Sequence, residues 1–179
     1  APPYQQMRLV AEDVAERVQG ILGGLQYIRE LRVGGRMSEV PVRWRIPSVE
    51  QLTWAAETLS QPEAAPGNTD LPRVYAERLR SLEGRPEIAP VPVQVLRIGE
   101  VRISTMPCEV FCEIGLEYRR RIAPSPGFMV SLGHGYYGYL PTLEQHALGG
   151  YETWLGTNRL APEAAGLMLD ELVRLSGEQ

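Results

Sequence analysis

The apolar residues at the start of the chain recur with the period of a helix. Between Met7 and Leu25 they follow one another at three- and four-residue steps, and charged residues occupy the opposite side. Two prolines at positions 2–3 suit the beginning of this helix, and a glycine pair at positions 23–24 suits its end. Because the apolar stripe favours burial, we expect the helix to pack on a partner surface.

Alternating apolar and polar positions further along predict strands. From Val40 to Ile46 every second residue is apolar, and Pro41 indicates a strand at the edge of a sheet. Residues 92–98 and 101–106 are two further β runs, and the Gly-Glu pair between them favours a hairpin.

Helices are predicted on either side of an exposed loop in this part of the chain. Ser48 suits the cap of a short helix, and a second helix is expected over residues 71–82. The loop spans residues 61–72, where proline, glycine, asparagine and aspartate are concentrated.

The C-terminal half predicts a βαβ unit. The strand at residues 101–106 is followed by a predicted helix over 109–121 and a short buried strand over 128–132, and the connection is long enough for a right-handed crossover between parallel strands. Thr142 and Gln145 fit a capping box, and a last helix presents Leu167 and Leu172 to a core. The fold class is therefore α/β, with a mixed sheet and packed flanking helices. Residues 1–179 form either one domain or the C-terminal portion of a larger α/β catalytic domain.

Composition excludes some classes of partner. The chain has 179 residues, of which 44% are hydrophobic and 22% charged, and its net charge of −4 argues against nucleic acid as the main partner. No apolar run approaches the ~20 residues needed to span a bilayer, so we expect no transmembrane segment. Because the chain begins with Ala1 rather than methionine, we expect it to be processed or part of a longer protein.

Two oxygen-bearing side chains follow the ends of the two strands that are predicted to be parallel. Glu109 follows the first strand, at the expected helix start, and Tyr136 follows the second, in a glycine-rich loop. In open α/β sheets ligands bind at this edge, so the pair is a candidate for holding a metal ion or a substrate. Two alternatives stay open: Glu109 begins a solvated stripe with Glu113 and Glu117, or the tyrosines of the loop only seal the sheet edge.

Other candidate ligands are few. His134 and His146 are the only histidines and lack a metal-type spacing, and for His146 a hydrogen-bonded structural role is favoured. Cys108 and Cys112 share one face of the predicted helix, where core thiols are favoured over zinc ligands. The segment from Tyr151 to Trp154 either lines a cleft or anchors the tryptophan in the core.

Three segments resemble the neutral/alkaline ceramidase family. They are residues 106–111 (Met-Pro-Cys-Glu-Val-Phe), 135–142 (Gly-Tyr-Tyr-Gly-Tyr-Leu-Pro-Thr) and 150–156 (Gly-Tyr-Glu-Thr-Trp-Leu-Gly). The family has a Pro-Gly-Glu turn, an Asn-x-Tyr-x-x-Tyr loop and a Tyr-Glu segment in the same order. Cys108 stands where the family has glycine, and His134 where it has asparagine. The likeness covers residues 93–175 well and the first half only loosely.

The resemblance implies a zinc-dependent amidase that hydrolyses the N-acyl bond of ceramide, in a secreted or periplasmic protein. The family holds zinc with two histidines, one glutamate and one tyrosine, so Glu109 and Tyr136 would be metal ligands. The two histidines would come from an upstream part of the same precursor or from a second chain. The site residues then expected are, as catalytic groups, Tyr136 and His134, and, as groups that bind the lipid-like substrate, Tyr139, Tyr151 and Glu152.

Two other functions stay open from the sequence. The same fold piece can serve as an interaction or lipid-binding module without a metal. Alternatively, Glu109 and His134 can act as acid and base in an enzyme that needs no metal.

Overall fold

The computed structural model describes residues 2–63 and 69–177, which form a mixed α/β fold as the sequence predicts. The strands are β1 (Val33–Arg43), β2 (Ile88–Ile98), β3 (Val101–Met106), β4 (Glu109–Val110), β5 (Gly127–Ser131) and β6 (Tyr139–Leu140). The helices are α1 (Gln5–Leu22), α2 (Val49–Ser60), α3 (Leu71–Arg80), α4 (Cys112–Arg121), α5 (Leu143–Leu148) and α6 (Ala164–Gly177), with one 3-10 turn at Tyr151–Thr153.

Four strands form the main sheet in the order β1-β2-β3-β5. β1 and β2 are antiparallel, and β2 and β3 form the predicted hairpin around Gly99, whose φ of 58° suits glycine. β3 and β5 are parallel and are connected through α4, which confirms the βαβ unit. β1 lies at an edge, as Pro41 predicts. β3 pairs with β2 only from Gln94 to Ile98, so the part of β2 before Gln94 is not covered by β3.

The main core lies between this sheet and α6. Val91 and Val93 of β2 are fully buried together with Met168 and Leu172 of the helix. The fully buried Tyr118 of α4 joins the same core, and its hydroxyl is 2.8 Å from the Ser176 hydroxyl. Burying these apolar side chains is the main term that stabilises the unit.

The helices α2 and α3 have a smaller core of their own. It consists of Ala55, Ala76 and Leu79. The Ser48 side chain caps α2 in a complete capping box with Gln51, as predicted from the serine. The predicted loop at 61–72 lies partly outside the described residues, and α3 already begins at Leu71.

Two predictions are wrong for the same reason: the start of the helix at Glu109 and the shared helix face of Cys108 and Cys112. Glu109 is not at a helix start, because β4 pairs with β6 and delays α4 to Cys112. The four-residue spacing of the cysteines therefore does not put them on one helix face: Cys108 is buried before β4, whereas Cys112 is exposed.

Several apolar side chains that were predicted to be buried are exposed. Phe128, Val130 and Leu132 of the predicted buried strand are 49%, 41% and 52% exposed, because they alternate with Met129, which packs on the main core from the other face. Leu167 on α6 is 44% exposed, because the helix turns Met168, Leu172 and Leu175 towards the sheet instead.

The chain divides into two compact units, the first ending at Leu31 and the second beginning at Arg32. The first contains α1, which confirms the predicted helix, and no residue of α1 is buried. That its apolar stripe packs on a partner surface stays a prediction. None of the helices in the described part of the chain is both long and apolar enough to cross a membrane.

Two of the leucines of α6 provide a test of the core. We expect Leu172→Ala to lower the free energy of unfolding by about 2–5 kcal/mol, because it leaves a cavity in the buried face. The matched change Leu167→Ala, at an exposed position, should cost less than about 1 kcal/mol. Urea denaturation of both variants measures the difference, and equal losses would contradict the assignment of the buried face.

Candidate functional site

The segments that follow β3 and β5 are joined by backbone hydrogen bonds. The parallel pairing of the two strands ends at Met106 and Ser131, and beyond it loop hydrogen bonds join residues 106–108 to residues 132–137. The amides of Leu132, Gly133 and Tyr137 donate to the carbonyl oxygens of Cys108, Met106 and Pro107, at 3.1, 3.2 and 2.8 Å. These bonds fix the register of the two loops before any side chain is considered.

Gly138 allows a second layer of pairing next to the first. Its carbonyl oxygen accepts a hydrogen bond from the Glu109 amide at 3.0 Å, and the next amide, of Tyr139, donates to the Thr157 carbonyl at 3.0 Å. Gly138 has a φ of 82°, and a Cβ atom there would collide with the Thr157 carbonyl oxygen. Only glycine therefore lets the three segments approach this closely.

Glu109 and Tyr136 meet at this edge of the sheet. The Tyr136 hydroxyl donates a hydrogen bond of 3.0 Å to Glu109 Oε1, across 27 residues of sequence. Partial burial raises the pKa of Tyr136, and the bond to Glu109 raises that pKa further, because both favour the neutral phenol. The positive charges of Arg159 and Arg78 act in the opposite direction. The convergence predicted from the sequence is therefore present.

Two further tyrosines extend this pair. The Tyr151 hydroxyl donates to the Tyr139 hydroxyl at 2.5 Å, and the two rings meet edge to face with centroids 5.3 Å apart. Hydrogen bonds with Tyr151 and then Glu109 raise the pKa of Tyr139. Two phenols thus interact with one carboxylate, and Tyr151 bonds to one of them. Glu152, which was also predicted to bind substrate, makes no hydrogen bond or ion pair with any described residue.

An open cleft borders the carboxylate. It has a volume of about 320 Å³ and is lined by Glu109 and Tyr139 together with mostly apolar neighbours. Those neighbours are Val110, Phe111, Ser131 and Leu132. A small polar group of a ligand can therefore reach Glu109 while an apolar part lies beside it.

Neither histidine is hydrogen-bonded to the pair. The exposed His134 places Nε2 3.1 Å from Gln94 Oε1, and its backbone is held in the left-handed region at φ 70°. His146 is partly buried, but its Nε2 has no partner among the described residues, contrary to the hydrogen-bonded role that was expected. Burial lowers the pKa of His146, and the charge of Arg45 lowers it further.

Sequence reasoning missed Asn158 and Arg159. The Asn158 side chain donates to the Tyr139 carbonyl at 2.9 Å, and the Arg159 guanidinium lies over the Tyr136 ring at 5.1 Å. Arg159 also donates to the Tyr136 carbonyl at 3.4 Å. These contacts join positions about twenty residues apart without any periodic pattern, so no signal in the sequence marks them.

The described residues match only part of the donor set of a zinc site. Two oxygen ligands on one tetrahedral zinc ion lie about 3.3–3.6 Å apart, close to the 3.0 Å between the Glu109 and Tyr136 oxygens. A catalytic zinc usually has three protein ligands, however, and no group of three His, Cys, Asp or Glu side chains converges in the described ranges. The pair therefore fits two positions, and no His, Cys, Asp or Glu group among the described residues completes the set.

Comparison with solved structures finds a similar fold in neutral ceramidase from Pseudomonas aeruginosa. The TM-score is 0.51 at 16% sequence identity, and the match covers 83% of this chain and 28% of that chain. A ceramidase complexed with C2 matches with a TM-score of 0.49 at 17% identity, over 81% of this chain and 30% of that one. The chain thus has a ceramidase-like fold that spans less than a third of these structures.

Sequence comparisons add no further relative. No family model matches the chain, and no curated protein matches it. At 16% identity the likeness to the ceramidase establishes the fold and not the chemistry.

Gly138 provides a test of how the site is held together. We expect Gly138→Ala to lower the free energy of unfolding by at least about 2 kcal/mol, because it combines backbone strain with a collision. Gly84→Ala is the matched control: Gly84 also has a positive φ, of 69°, but its Cβ would meet nothing within 4 Å, so we expect about 1 kcal/mol. Denaturant unfolding measures both, and equal costs would contradict the close approach.

The cysteines provide a second test. Burial raises the pKa of Cys108 to about 12, whereas Cys112 is exposed beside Glu113, whose hydrogen bond raises the pKa of that thiol. Because the thiolate is the reactive form, a disulfide reagent should label one thiol per native chain, faster as pH rises, and both thiols only after denaturation. Cys112→Ser should remove the native reaction and Cys108→Ala should leave it. Equal reactivity of the two native thiols would show that Cys108 is not buried.

Proposed function

We propose that this chain is part of a ceramidase-like, zinc-dependent amidohydrolase that acts on an N-acyl, lipid-like amide. The hydrogen bond between Tyr136 and Glu109 carries the proposal, because it brings together the two ligand types that the resemblance implies. The ceramidase-like fold supports it independently of the motifs. The chain covers less than a third of that ceramidase, so the complete activity requires residues from elsewhere.

The residues of this chain would have distinct roles in such a site. Glu109 and Tyr136 would hold the metal with their oxygen atoms, and two histidines from an upstream part of the precursor or from a second chain would complete the donor set. Bound zinc supplies an activated water and polarises the amide carbonyl. Tyr139 and Tyr151 would orient the substrate beside Glu109, since their hydroxyls form a fixed pair next to it.

Tyr136 has a second role in this proposal. Its hydroxyl would donate a hydrogen bond to the amide oxygen as negative charge develops there, and such donors stabilise the transition state. Arg159 fixes the position of the ring through its contact with the ring face and its bond to the Tyr136 carbonyl.

A non-catalytic lipid-binding module is the second candidate. It is favoured by the incomplete donor set in the described part of the chain. The metal-independent enzyme that would use Glu109 and His134 has less support, because the His134 ring is hydrogen-bonded to Gln94 and not to Glu109.

Zinc affinity tests the proposal directly. Competition with a chromogenic chelator should show weak zinc binding by the chain, strengthened by millimolar imidazole, which supplies the missing nitrogen ligands. Glu109→Ala and Tyr136→Phe should each weaken the imidazole-dependent binding by at least about tenfold. In a form of the protein that carries the upstream histidines, a chelator should abolish hydrolysis of an N-acyl amide.

Glu113→Ala is the matched control, because Glu113 is an exposed carboxylate on α4 that contacts Cys112 and Gln145 but not Tyr136. It should bind zinc as the unchanged chain does. Zinc binding that survives Glu109→Ala but not Glu113→Ala would overturn the ligand assignment. Hydrolysis that persists with the chelator would favour the metal-independent enzyme.

A further inference from the structure

Two exposed tryptophans and one carboxylate line a cavity beside α2 and α3, which we call the tryptophan cavity. It has a volume of about 500 Å³, within the range of small-molecule sites. Its lining residues are Glu50, Gln51, Trp54, Tyr75, Leu79, Trp154 and Leu155. The sequence placed Trp154 either at a cleft or in the core, and the structure places it at this cavity.

Helix α2 brings Glu50 and Trp54 to the cavity. The two residues are four apart, so their side chains lie on one face of the helix. Trp54 is 42% exposed. Hydrogen bonds from the Ser48 side chain and from the Glu50 amide lower the pKa of the Glu50 carboxyl, and no cationic group contributes to that shift. The cavity is therefore bordered by a negative charge at neutral pH.

The loop after the 3-10 turn holds Trp154 in a fixed position. The Trp154 ring packs edge to face against Tyr75 of α3, with centroids 5.4 Å apart, yet Trp154 remains 54% exposed. Gly156 lies so close to α3 that a Cβ atom there would come within 2.7 Å of the Arg78 Cβ. The Tyr75 hydroxyl accepts a hydrogen bond from the Thr157 hydroxyl at 3.3 Å. The exposed indole thus rests on a rigid support.

Tyr75 already has a cation over its ring. The Arg78 guanidinium lies 5.1 Å from the centre of that ring and donates to the Thr157 hydroxyl at 2.8 Å, and Arg78 does not line the cavity. We therefore treat Tyr75 as the support of Trp154. The groups left to contact a ligand are Trp54, Trp154 and Glu50.

Two exposed indole rings beside a carboxylate suit a quaternary ammonium group. Indole attracts cations more strongly than the other aromatic side chains, and choline-type ligands are recognised in this way. A quaternary nitrogen carries alkyl groups and no N–H, so it needs apolar contact and negative charge rather than hydrogen-bond acceptors. An uncharged apolar ligand would gain nothing from Glu50, whose carboxylate would only lose water.

The surroundings favour a small soluble cation over a larger partner. The cavity is lined by seven residues, whereas a protein interface typically has about 20–30 residues on each side. Membrane surfaces with anionic lipids attract Lys and Arg, but α2 carries two glutamates and no basic residue.

We propose that the tryptophan cavity binds the quaternary ammonium group of a small soluble organic cation, with Trp54 and Trp154 contacting its methyl groups and Glu50 balancing its charge. The cavity shares no lining residue with the cleft beside Glu109. The inference therefore does not depend on the proposed function, and it can be tested without zinc and without turnover.

The experiment is an NMR titration of the isotope-labelled chain with choline, read at the indole N–H signals of the three tryptophans. The signals of Trp54 and Trp154 should shift and saturate, whereas the signal of Trp44 should not, because Trp44 contacts Tyr137 and Arg85 instead. Single tryptophan-to-phenylalanine variants assign the three signals.

The uncharged carbon analogue of choline separates charge from shape. In this dimethylbutanol a tert-butyl group replaces the trimethylammonium group. Choline should bind about five- to thirtyfold more tightly than the analogue, because only choline gains from the indole rings and the carboxylate. Equal affinities would overturn the proposal, since the cavity would then recognise apolar shape alone.

Variants locate the contacts within the molecule. Trp54→Leu and Trp154→Leu keep an apolar side chain without the ring, so each should weaken choline binding about fivefold or more and affect the analogue less. Glu50→Gln should weaken choline binding about two- to fivefold and leave the analogue unchanged. The matched controls are Glu57→Gln, on α2 but outside the cavity, and Phe128→Leu, an exposed aromatic residue of a separate groove. Both controls should leave both affinities unchanged.

Three other results would overturn the proposal. Equal loss of choline and analogue binding in Glu50→Gln would mean that the carboxylate acts on the structure and not on the ligand charge. A larger loss in Glu57→Gln or Phe128→Leu than in the cavity variants would place the binding elsewhere. Binding of phosphatidylcholine vesicles without binding of free choline would identify a membrane surface as the partner.

Discussion

The candidate site depends on the backbone hydrogen bonds that join the two segments following β3 and β5. The hydrogen bonds between residues 106–108 and 132–137 hold two loops in register where the strands themselves have stopped. Without these bonds, a half-buried glutamate and a tyrosine in a glycine-rich loop would have no reason to stay 3.0 Å apart. The side-chain chemistry is therefore secondary to a backbone constraint, and the second layer of pairing beside it, through Glu109 and Tyr139, requires glycine at Gly138.

The sequence predicted those parts of the fold that have a local pattern. The hairpin, the βαβ unit and the edge position of β1 follow from alternation, turn residues and one proline, and each is confirmed. The start of α4 could not be predicted in the same way, because β4 is formed by pairing with Tyr139, thirty residues away. The error over Cys112 follows from it, since a helix that begins later presents a different face.

The same distinction applies to the side chains at the site: some follow from a local pattern in the sequence, and others do not. Glu109 and Tyr136 could be found because both follow strands whose parallel arrangement was predictable. Asn158 and Arg159 could not, since their contacts with Tyr139 and Tyr136 depend on the path of an irregular segment after the 3-10 turn. His134 illustrates the opposite error, a site residue that the sequence favoured but that does not contact the pair. Its residue type and its proximity in sequence favoured it, but its ring is hydrogen-bonded to Gln94 on β2.

The partial covering of β2 has a consequence for how copies of this protein behave towards each other. Where β3 no longer covers β2, the strand carries Pro90 and Pro92, and Pro90 lies opposite Pro41 of β1. Two prolines that face each other cannot exchange amide hydrogen bonds, so the nitrogens of Pro90 and Pro92 point to the uncovered side and offer no donor there. An extended segment of another molecule would find no N–H donor at Pro90 and Pro92, so it could form only part of the hydrogen bonds of a strand pair. This protects the uncovered part of β2 against aggregation through strand addition.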